Sequence, residues 1–167
     1  MSEENKMKTI KIDSVTLHCA TADQKKLDRS IKLLKLITKA IPVKTLAKKR
    51  IPAFKIRPGL PIGCKVTVRK NTKQLLKMLF SGIQSLKRKQ FNPGFLSFGI
   101  KEYIEIPSLS YERDIGILGF DVVVKLKRAG FRINQRKRIK SKIGAKHKIT
   151  KEETLEFFRK NFEINIE

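Results

Sequence analysis

The chain has 167 residues, of which 39 are lysine or arginine and 15 are aspartate or glutamate, so its formal net charge is +24. So much like charge weakens a compact fold, and we expect a partner that supplies negative charge: nucleic acid rather than an anionic membrane, since neither terminus carries an amphipathic basic helix or a lipidation motif. The 40% of hydrophobic residues exclude a purely disordered tail, and two cysteines are too few for a disulfide framework. No apolar run is long enough for a membrane span, and the N-terminus lacks the apolar segment of a signal peptide. The composition favours one intracellular domain.

The first half of the chain predicts a strand, a helix and two further strands. Apolar and polar side chains alternate over residues 8–18, which indicates a strand. Over residues 22–40, leucines and isoleucines recur at helical spacing with lysines between them, and Pro42 should end this amphipathic helix. The proline-rich connection that follows cannot be a long helix, and we expect short strands at 53–56 and 62–69.

The second half predicts another helix, two strands and a final helix. Apolar residues at helical spacing indicate a helix from Asn71 or Thr72 as far as Leu86. Residues 95–107 and 120–128 are expected to be strands. Thr150 and Glu153 have the spacing of a capping box, and they predict the start of the last helix.

These elements predict an α+β fold: a single antiparallel or mixed sheet with helices packed on one face, a basic extension and a C-terminal helix. We expect a disordered N-terminal tail at 1–7, an RNA-binding core of sheet and helices at 8–127, a basic extension at 128–149, and a C-terminal helix and tail packed on the core at 150–167. The second face of the sheet would stay free, and its basic positions would suit RNA.

The basic segment, residues 128–149, is the most unusual part of the sequence. From Lys125 to Lys148 there are eleven lysines and arginines in 24 residues, and there is no acidic residue. This pattern favours contacts with phosphates, although a solvated loop or a nuclear-localisation signal at "RKRIKSK" would look similar. Apolar residues within the segment could anchor it to the core or to RNA, and these are Phe131, Ile133, Ile139 and Ile143. A second, weaker basic cluster comprises Lys44, Lys48, Lys49, Arg50 and Arg57.

Catalysis has little support in the sequence. His18 and His147 are the only histidines, and no catalytic triad, metal-ligand spacing or phosphate-binding glycine loop accompanies them. We therefore expect a non-enzyme that has no cofactor and no metal. An RNA-modifying enzyme and a free regulatory or assembly protein are the alternatives.

Four ordered motifs carry a resemblance to a known family: "FKIRPGLPIGCKVTVR", "LSFGIKEYIEIP", "YERDIGILGFDVVVKLKRAGFR" and "SKIGAKHKITKEE". From about Lys8 to Phe162 the chain resembles, as a divergent member, the large-subunit ribosomal protein numbered five in bacteria and archaea and eleven in eukaryotes. Its ending resembles the archaeal and eukaryotic branch. The resemblance implies a single α+β domain that binds 5S ribosomal RNA (rRNA) in the central protuberance of cytoplasmic ribosomes, with assembly in the nucleolus if the chain is eukaryotic. It also implies that a loop reaches peptidyl-site transfer RNA (tRNA) and the small-subunit head, beside neighbouring ribosomal proteins.

The resemblance also assigns residues. Thr67 and Arg69 match the family's RNA-facing strand, and residues 128–148 match the extension that lies against rRNA. The predicted tRNA-facing loop consists of Ala47, Lys48, Lys49 and Arg50. The predicted rRNA-binding residues are Lys11, His18, Thr67, Arg69, Arg128, Arg132, Arg136, Lys137, Arg138, Lys140, Lys142, Lys146, His147 and Lys148.

The chain departs from the family pattern at several positions, and two polar RNA contacts of the family are thereby changed. His18 stands where the family usually has an asparagine, and "CATAD" replaces a glycine-rich turn. Lys39 and Ala40 replace a Gly-Gln pair, and Tyr103 replaces a histidine. These changes predict a 5S rRNA interface that is either altered or more dependent on charge.

Overall fold

A computed structural model describes residues 5–162 and 164–167 of the chain. The strands in this part of the chain are β1 (Lys11–Ala20), β2 (Val43–Leu46), β3 (Pro61–Val68), β4 (Phe91–Asn92), β5 (Phe95–Ile100) and β6 (Phe120–Lys127). The α-helices are α1 (Gln24–Thr38), α2 (Thr72–Phe80), α3 (Arg132–Gln135) and α4 (Lys151–Phe162). Short 3-10 turns occur at Lys6–Lys8, Pro52–Phe54, Arg88–Gln90, Tyr103–Glu105 and Ala145–His147.

The strands form one sheet in the order β2-β3-β1-β6-β5-β4, and every neighbouring pair is antiparallel. Successive side chains of a strand point to opposite faces. On one face, Val15, Leu17 and Val122 are fully buried in the core cluster, together with Leu34 of α1 and Phe158 of α4. The predicted α+β class, with a single sheet and helices on one face, is confirmed.

Local sequence signals explain where two of the helices begin. Asp23 precedes α1, and its carboxylate accepts a hydrogen bond from the Lys25 backbone N–H at 3.0 Å. Ahead of α4, the Glu153 carboxylate accepts from the Thr150 N–H at 2.9 Å, and the Thr150 hydroxyl accepts from the Glu153 N–H at 3.2 Å. This reciprocal pair is the capping box that the sequence predicted.

Two predictions in the first half of the chain were wrong. The expected strand at 53–56 is a 3-10 turn followed by Lys55 in the left-handed region (φ 55°), and only an isolated bridge joins Ile51 to Ile56. The stretch Val43–Leu46, for which the sequence predicts no strand, forms the edge strand β2. Prolines before and after this stretch indicate a turn or loop, which outweighed its β-branched and apolar residues in the prediction. In the fold, pairing with β3 gives its backbone groups hydrogen-bond partners.

Two predictions in the second half were also wrong. Helix α2 ends at Phe80 rather than near Leu86, because the chain passes so close to residues 105–106 that a Cβ on Gly82 would lie 3.1 Å from the Glu105 carbonyl oxygen. The strand predicted at 95–107 ends at Ile100. Beyond it, Tyr103 turns into the core, and its hydroxyl accepts a hydrogen bond from the Glu112 N–H at 2.9 Å.

Hydrogen bonds are formed at both ends of the described chain. Of the predicted tail at 1–7, residues 1–4 lie outside the described residues, and Asn5 caps the turn at Lys6–Lys8. At the other end, Glu167 pairs with Leu86 and Arg88, through N–H···O distances of 3.0 and 2.7 Å. Within 5–162 and 164–167, no helix is both long and apolar enough to cross a bilayer.

Candidate nucleic-acid interface

The face of the sheet opposite the helices, here called the open face, carries polar and basic side chains. Thr16 and His18 of β1 point to it, and His18 lies in register between Lys65 of β3 and Asp121 of β6. Thr16 lies opposite Thr67, and their hydroxyl oxygens are 3.2 Å apart, a hydrogen-bonding distance. The predicted RNA-facing residues of β1 and β3 are therefore neighbours on one surface.

Exposed apolar side chains accompany these polar groups on the open face. Phe95 of β5 is 43% exposed and Val123 of β6 is 37% exposed. A shallow cleft of about 690 Å³ lies beside Val123, and it includes His18, Ser97 and Asp121 in its lining. An apolar floor next to hydroxyl, imidazole and carboxylate groups can stack and hydrogen-bond an unstacked RNA base.

Asp13 organises the cations at one end of the open face. Its carboxylate lies 2.8 Å from the Lys127 ammonium and 3.7 Å from that of Lys125. Burial opposes ionisation of Asp13, but the hydrogen bond from Lys127 and the charges of Lys125 and Arg69 outweigh it and hold its pKa below the ordinary value. Predicted residue Arg69 is thus part of this cluster, and Lys11 is an exposed residue opposite Lys127.

The predicted tRNA-facing loop combines an anchored base with exposed cations. Ala47 is buried, its N–H donates to the Leu60 carbonyl at 2.8 Å, and its own carbonyl accepts from the Gly59 N–H at 2.9 Å. Lys48, Lys49 and Arg50 are exposed. Phe54 follows them and is 69% exposed, although the charge pattern of the sequence does not indicate it. Of the four predicted residues, Ala47 therefore supports the loop from inside.

The structure places most of the basic segment in solvent. Phe131 packs against the core and Ile143 is half-buried, whereas Ile133 and Ile139 are 41% and 84% exposed. Two of the four apolar residues thus anchor the segment, and two remain available to a partner. The predicted cations that are exposed here are Arg132, Arg136, Lys137, Arg138, Lys140, Lys142, Lys146 and Lys148.

Two predicted residues of the segment make internal contacts instead. Arg128 is only 6% exposed, and its guanidinium donates to backbone carbonyls and to the Glu153 carboxylate at 2.7 Å. The ring of His147 lies edge-on to Phe131, with centroids 5.7 Å apart, and its Nε2 is 2.8 Å from the Ala129 carbonyl oxygen. Sequence could not distinguish these two from their exposed neighbours.

No arrangement suited to catalysis is formed by the two histidines. His18 lies on the open face, whereas His147 lies at the base of the basic segment. Within the described residues, no three side chains of the His, Cys, Asp and Glu types converge as metal ligands. Cys19 and Cys64 are paired across β1 and β3 on the buried face, where the Cys64 thiol and burial raise the pKa of Cys19. The exposed groups instead offer cations, hydroxyls and apolar surface to an anionic polymer.

Two family models match this chain: one described as ribosomal protein L5 covers residues 5–57, and one for the C-terminus of the same ribosomal family covers residues 61–157. The chain belongs to the ribosomal protein L5 family. The protein named large ribosomal subunit protein uL5 in Nanoarchaeum equitans is 38% identical over 167 residues, which cover 98% of this chain and 99% of the relative. The proteins of the same name in Methanobrevibacter smithii and Sulfolobus acidocaldarius are 40% and 37% identical, over 96% and 98% of this chain and 97% and 94% of theirs.

The two matched regions of this L5 family chain do not fold as separate units. The first contains β1, α1 and β2, and the second begins with β3, which lies between β1 and β2 in the sheet. The open face is therefore built from both regions. The family resemblance read from the motifs is confirmed, and the archaeal relatives agree with the archaeal and eukaryotic branch.

Proposed function

We propose that this chain is the uL5 component of the large ribosomal subunit and that it acts by binding RNA. The observation that carries the proposal is similarity over nearly the full length to proteins named large ribosomal subunit protein uL5. Family membership argues for a structural protein rather than an RNA-modifying enzyme. Its location is accordingly the ribosome, in the cytoplasm, with assembly in the nucleolus if the chain is eukaryotic.

The open face would bind 5S rRNA in the central protuberance. Lysines such as Lys65 and Lys125 would neutralise phosphates, and the Thr16–Thr67 pair would set the register. Phe95 would offer a surface on which an unstacked base can lie. His18, where the family usually has asparagine, still offers a ring nitrogen for a polar contact.

The remaining basic surfaces would contact other partners. The exposed side chains of Lys48, Lys49 and Arg50 suit the tRNA in the peptidyl site and the small-subunit head. The exposed cations of the basic segment suit large-subunit rRNA. Neighbouring ribosomal proteins of the protuberance would complete the set of partners.

A salt series tests the 5S rRNA contact. Binding should weaken steeply with salt, with a slope of log K against log salt of about 0.7 to 0.9 per phosphate neutralised. Replacing Lys65 and Lys125 on the open face by alanine should lower that slope by roughly 1.5. The control replaces Lys25 and Lys26, which are exposed on α1 at the opposite side of the sheet, and removes the same charge.

Sedimentation of a cell lysate tests the ribosomal role itself. The protein should travel with the large subunit in full. Should it stay in the free fraction and show a flat salt response with 5S rRNA, it would instead be a free regulatory or assembly protein, and the proposal would be wrong.

A further inference from the structure

Arg128 differs from every other cation of the basic segment because it is buried. It is the one charged residue among the buried side chains of the described chain, at 6% exposure. Its Nε donates to the Lys8 carbonyl at 3.0 Å, and one terminal nitrogen donates to the carbonyls of His147 and Lys148 at 3.3 and 3.1 Å. The other terminal nitrogen is 2.7 Å from a Glu153 carboxylate oxygen.

These contacts close the basic segment into a loop. The chain leaves the sheet at Arg128 and comes back beside Arg128 at His147 and Lys148, so one guanidinium holds the two ends of the loop together. A second contact, from the His147 ring to the Ala129 carbonyl, joins the same two ends at 2.8 Å. The link to Lys8 adds the segment that leads into β1, so three separate parts of the chain meet at Arg128.

Glu153 connects this loop to α4. One carboxylate oxygen accepts from Arg128, and the other accepts from the Thr150 N–H at 2.9 Å as part of the helix cap. Burial opposes ionisation of Glu153, but the hydrogen bonds from Thr150 and Arg128 outweigh it and lower its pKa. A single ionised carboxylate therefore both caps the helix and holds the guanidinium.

We propose that Arg128 and Glu153 are positioning residues for RNA binding: they hold the loop of residues 129–147 in its bound arrangement before RNA arrives, and Arg128 itself contacts no phosphate. The inference rests on the proposed function, since it assumes that the exposed cations of this loop bind rRNA. A loop whose ends are already fixed loses less conformational entropy when RNA orders it, so affinity rises without any added contact. A lysine cannot replace Arg128 fully, because it lacks the planar fork that reaches several acceptors at once.

Glu153→Gln separates positioning from net charge, because the two effects have opposite signs. The substitution removes one negative charge, so charge alone predicts tighter RNA binding. Loss of the ion pair instead leaves the buried Arg128 without its anion and loosens the loop, which predicts binding weaker by about tenfold. Glu152→Gln is the matched control: Glu152 is also in the first turn of α4, but it is exposed and is not among the hydrogen-bond or ion-pair partners of Arg128.

Arg128→Lys supplies a second variant that keeps the charge. It should weaken binding while the slope of log K against log salt stays at the wild-type value, because the number of phosphates contacted does not change. Lys137→Ala, at an exposed position of the same loop, should instead lower the slope by about 0.7 to 0.9. The probe is rRNA extracted from large subunits, 5S rRNA included, in a fixed excess of unrelated RNA.

Limited trypsin digestion of the free protein measures how firmly the loop of residues 129–147 is held, through the rate of cleavage within it. The loop contains seven lysines and arginines, and both Glu153→Gln and Arg128→Lys should speed cleavage there relative to the wild type and to Glu152→Gln. Wild-type cleavage rates in the two variants, tighter RNA binding by Glu153→Gln, or a lowered salt slope for Arg128→Lys would each overturn the inference. If the wild-type protein binds no rRNA, the proposed function is wrong, and Arg128 and Glu153 have no role in RNA binding. The digestion would still show whether these two residues hold the loop.

Discussion

Replacing Arg136, Lys137 and Arg138 together by alanine removes three cations from the exposed part of the basic segment. All three side chains are exposed, and the internal hydrogen bond that would be lost joins Arg136 Nε to the Ile139 carbonyl at 2.7 Å. The core is untouched, so the free energy of unfolding should change by no more than about 0.5 kcal/mol.

The effect on RNA binding should be large. If each side chain neutralises one phosphate, the slope of log K against log salt falls by about 2 to 3. When the salt concentration is raised from about 50 to about 200 mM, both proteins lose affinity for RNA. The fold-loss should then be roughly 20 to 40 times smaller for the variant than for the wild type. Filter binding to large-subunit rRNA over this range measures the slope, and incorporation into reconstituted large subunits measures the consequence.

A matched variant controls for charge alone. Lys25, Lys26 and Arg29 are exposed on α1, on the far side of the sheet from the open face, and their replacement by alanine also removes three charges. This control should change the slope much less. If both triple variants lower the slope equally, or if the first is incorporated like the wild type, the basic segment is not a phosphate-contacting surface.

Three further predictions concern stability. Phe158→Ala should lower the free energy of unfolding in urea by about 3 to 5 kcal/mol, because its fully buried ring packs against four other phenylalanine rings at 5.5–6.3 Å. Asp13 and Glu153 have lowered pKa values, so the stability that they contribute is complete above their ordinary pKa values of 3.8 and 4.5. This stability is lost as the pH falls through the lowered pKa values. In an acid titration, Glu153→Gln should therefore lose less stability than the wild type. Removal of residues 164–167 should lower the thermal midpoint, because their backbone pairing with Leu86 and two partly buried isoleucines are lost.

Each of these three predictions has a contrary result. A loss below about 1 kcal/mol for Phe158→Ala would mean that the aromatic cluster is loosely packed. An acid titration of Glu153→Gln that matches the wild type would mean that this carboxylate does not favour the folded state. An unchanged midpoint after removal of 164–167 would show that the tail pairing contributes nothing.

Several elements were predictable because their signals are local. In β6, strict alternation of buried and exposed residues marks a strand with one covered face. The capping box needs only Thr150 and Glu153, which are three residues apart. The surplus of cations needs no structure at all, and together with the family motifs it pointed to RNA.

Other features depend on residues far apart in the chain, and they were decided only by the tertiary fold. Arg128 looked like any other cation of its segment, yet it is buried because Lys8, His147 and Glu153 meet around it. Apolar residues continue at helical spacing as far as Leu86, but α2 ends earlier because another part of the chain packs against Gly82. The sequence by itself determined the charge and the main elements, since these follow from composition and short-range periodicity. Which cations stay exposed and which hold the fold together depended on long-range packing, since burial is a property of the assembled core.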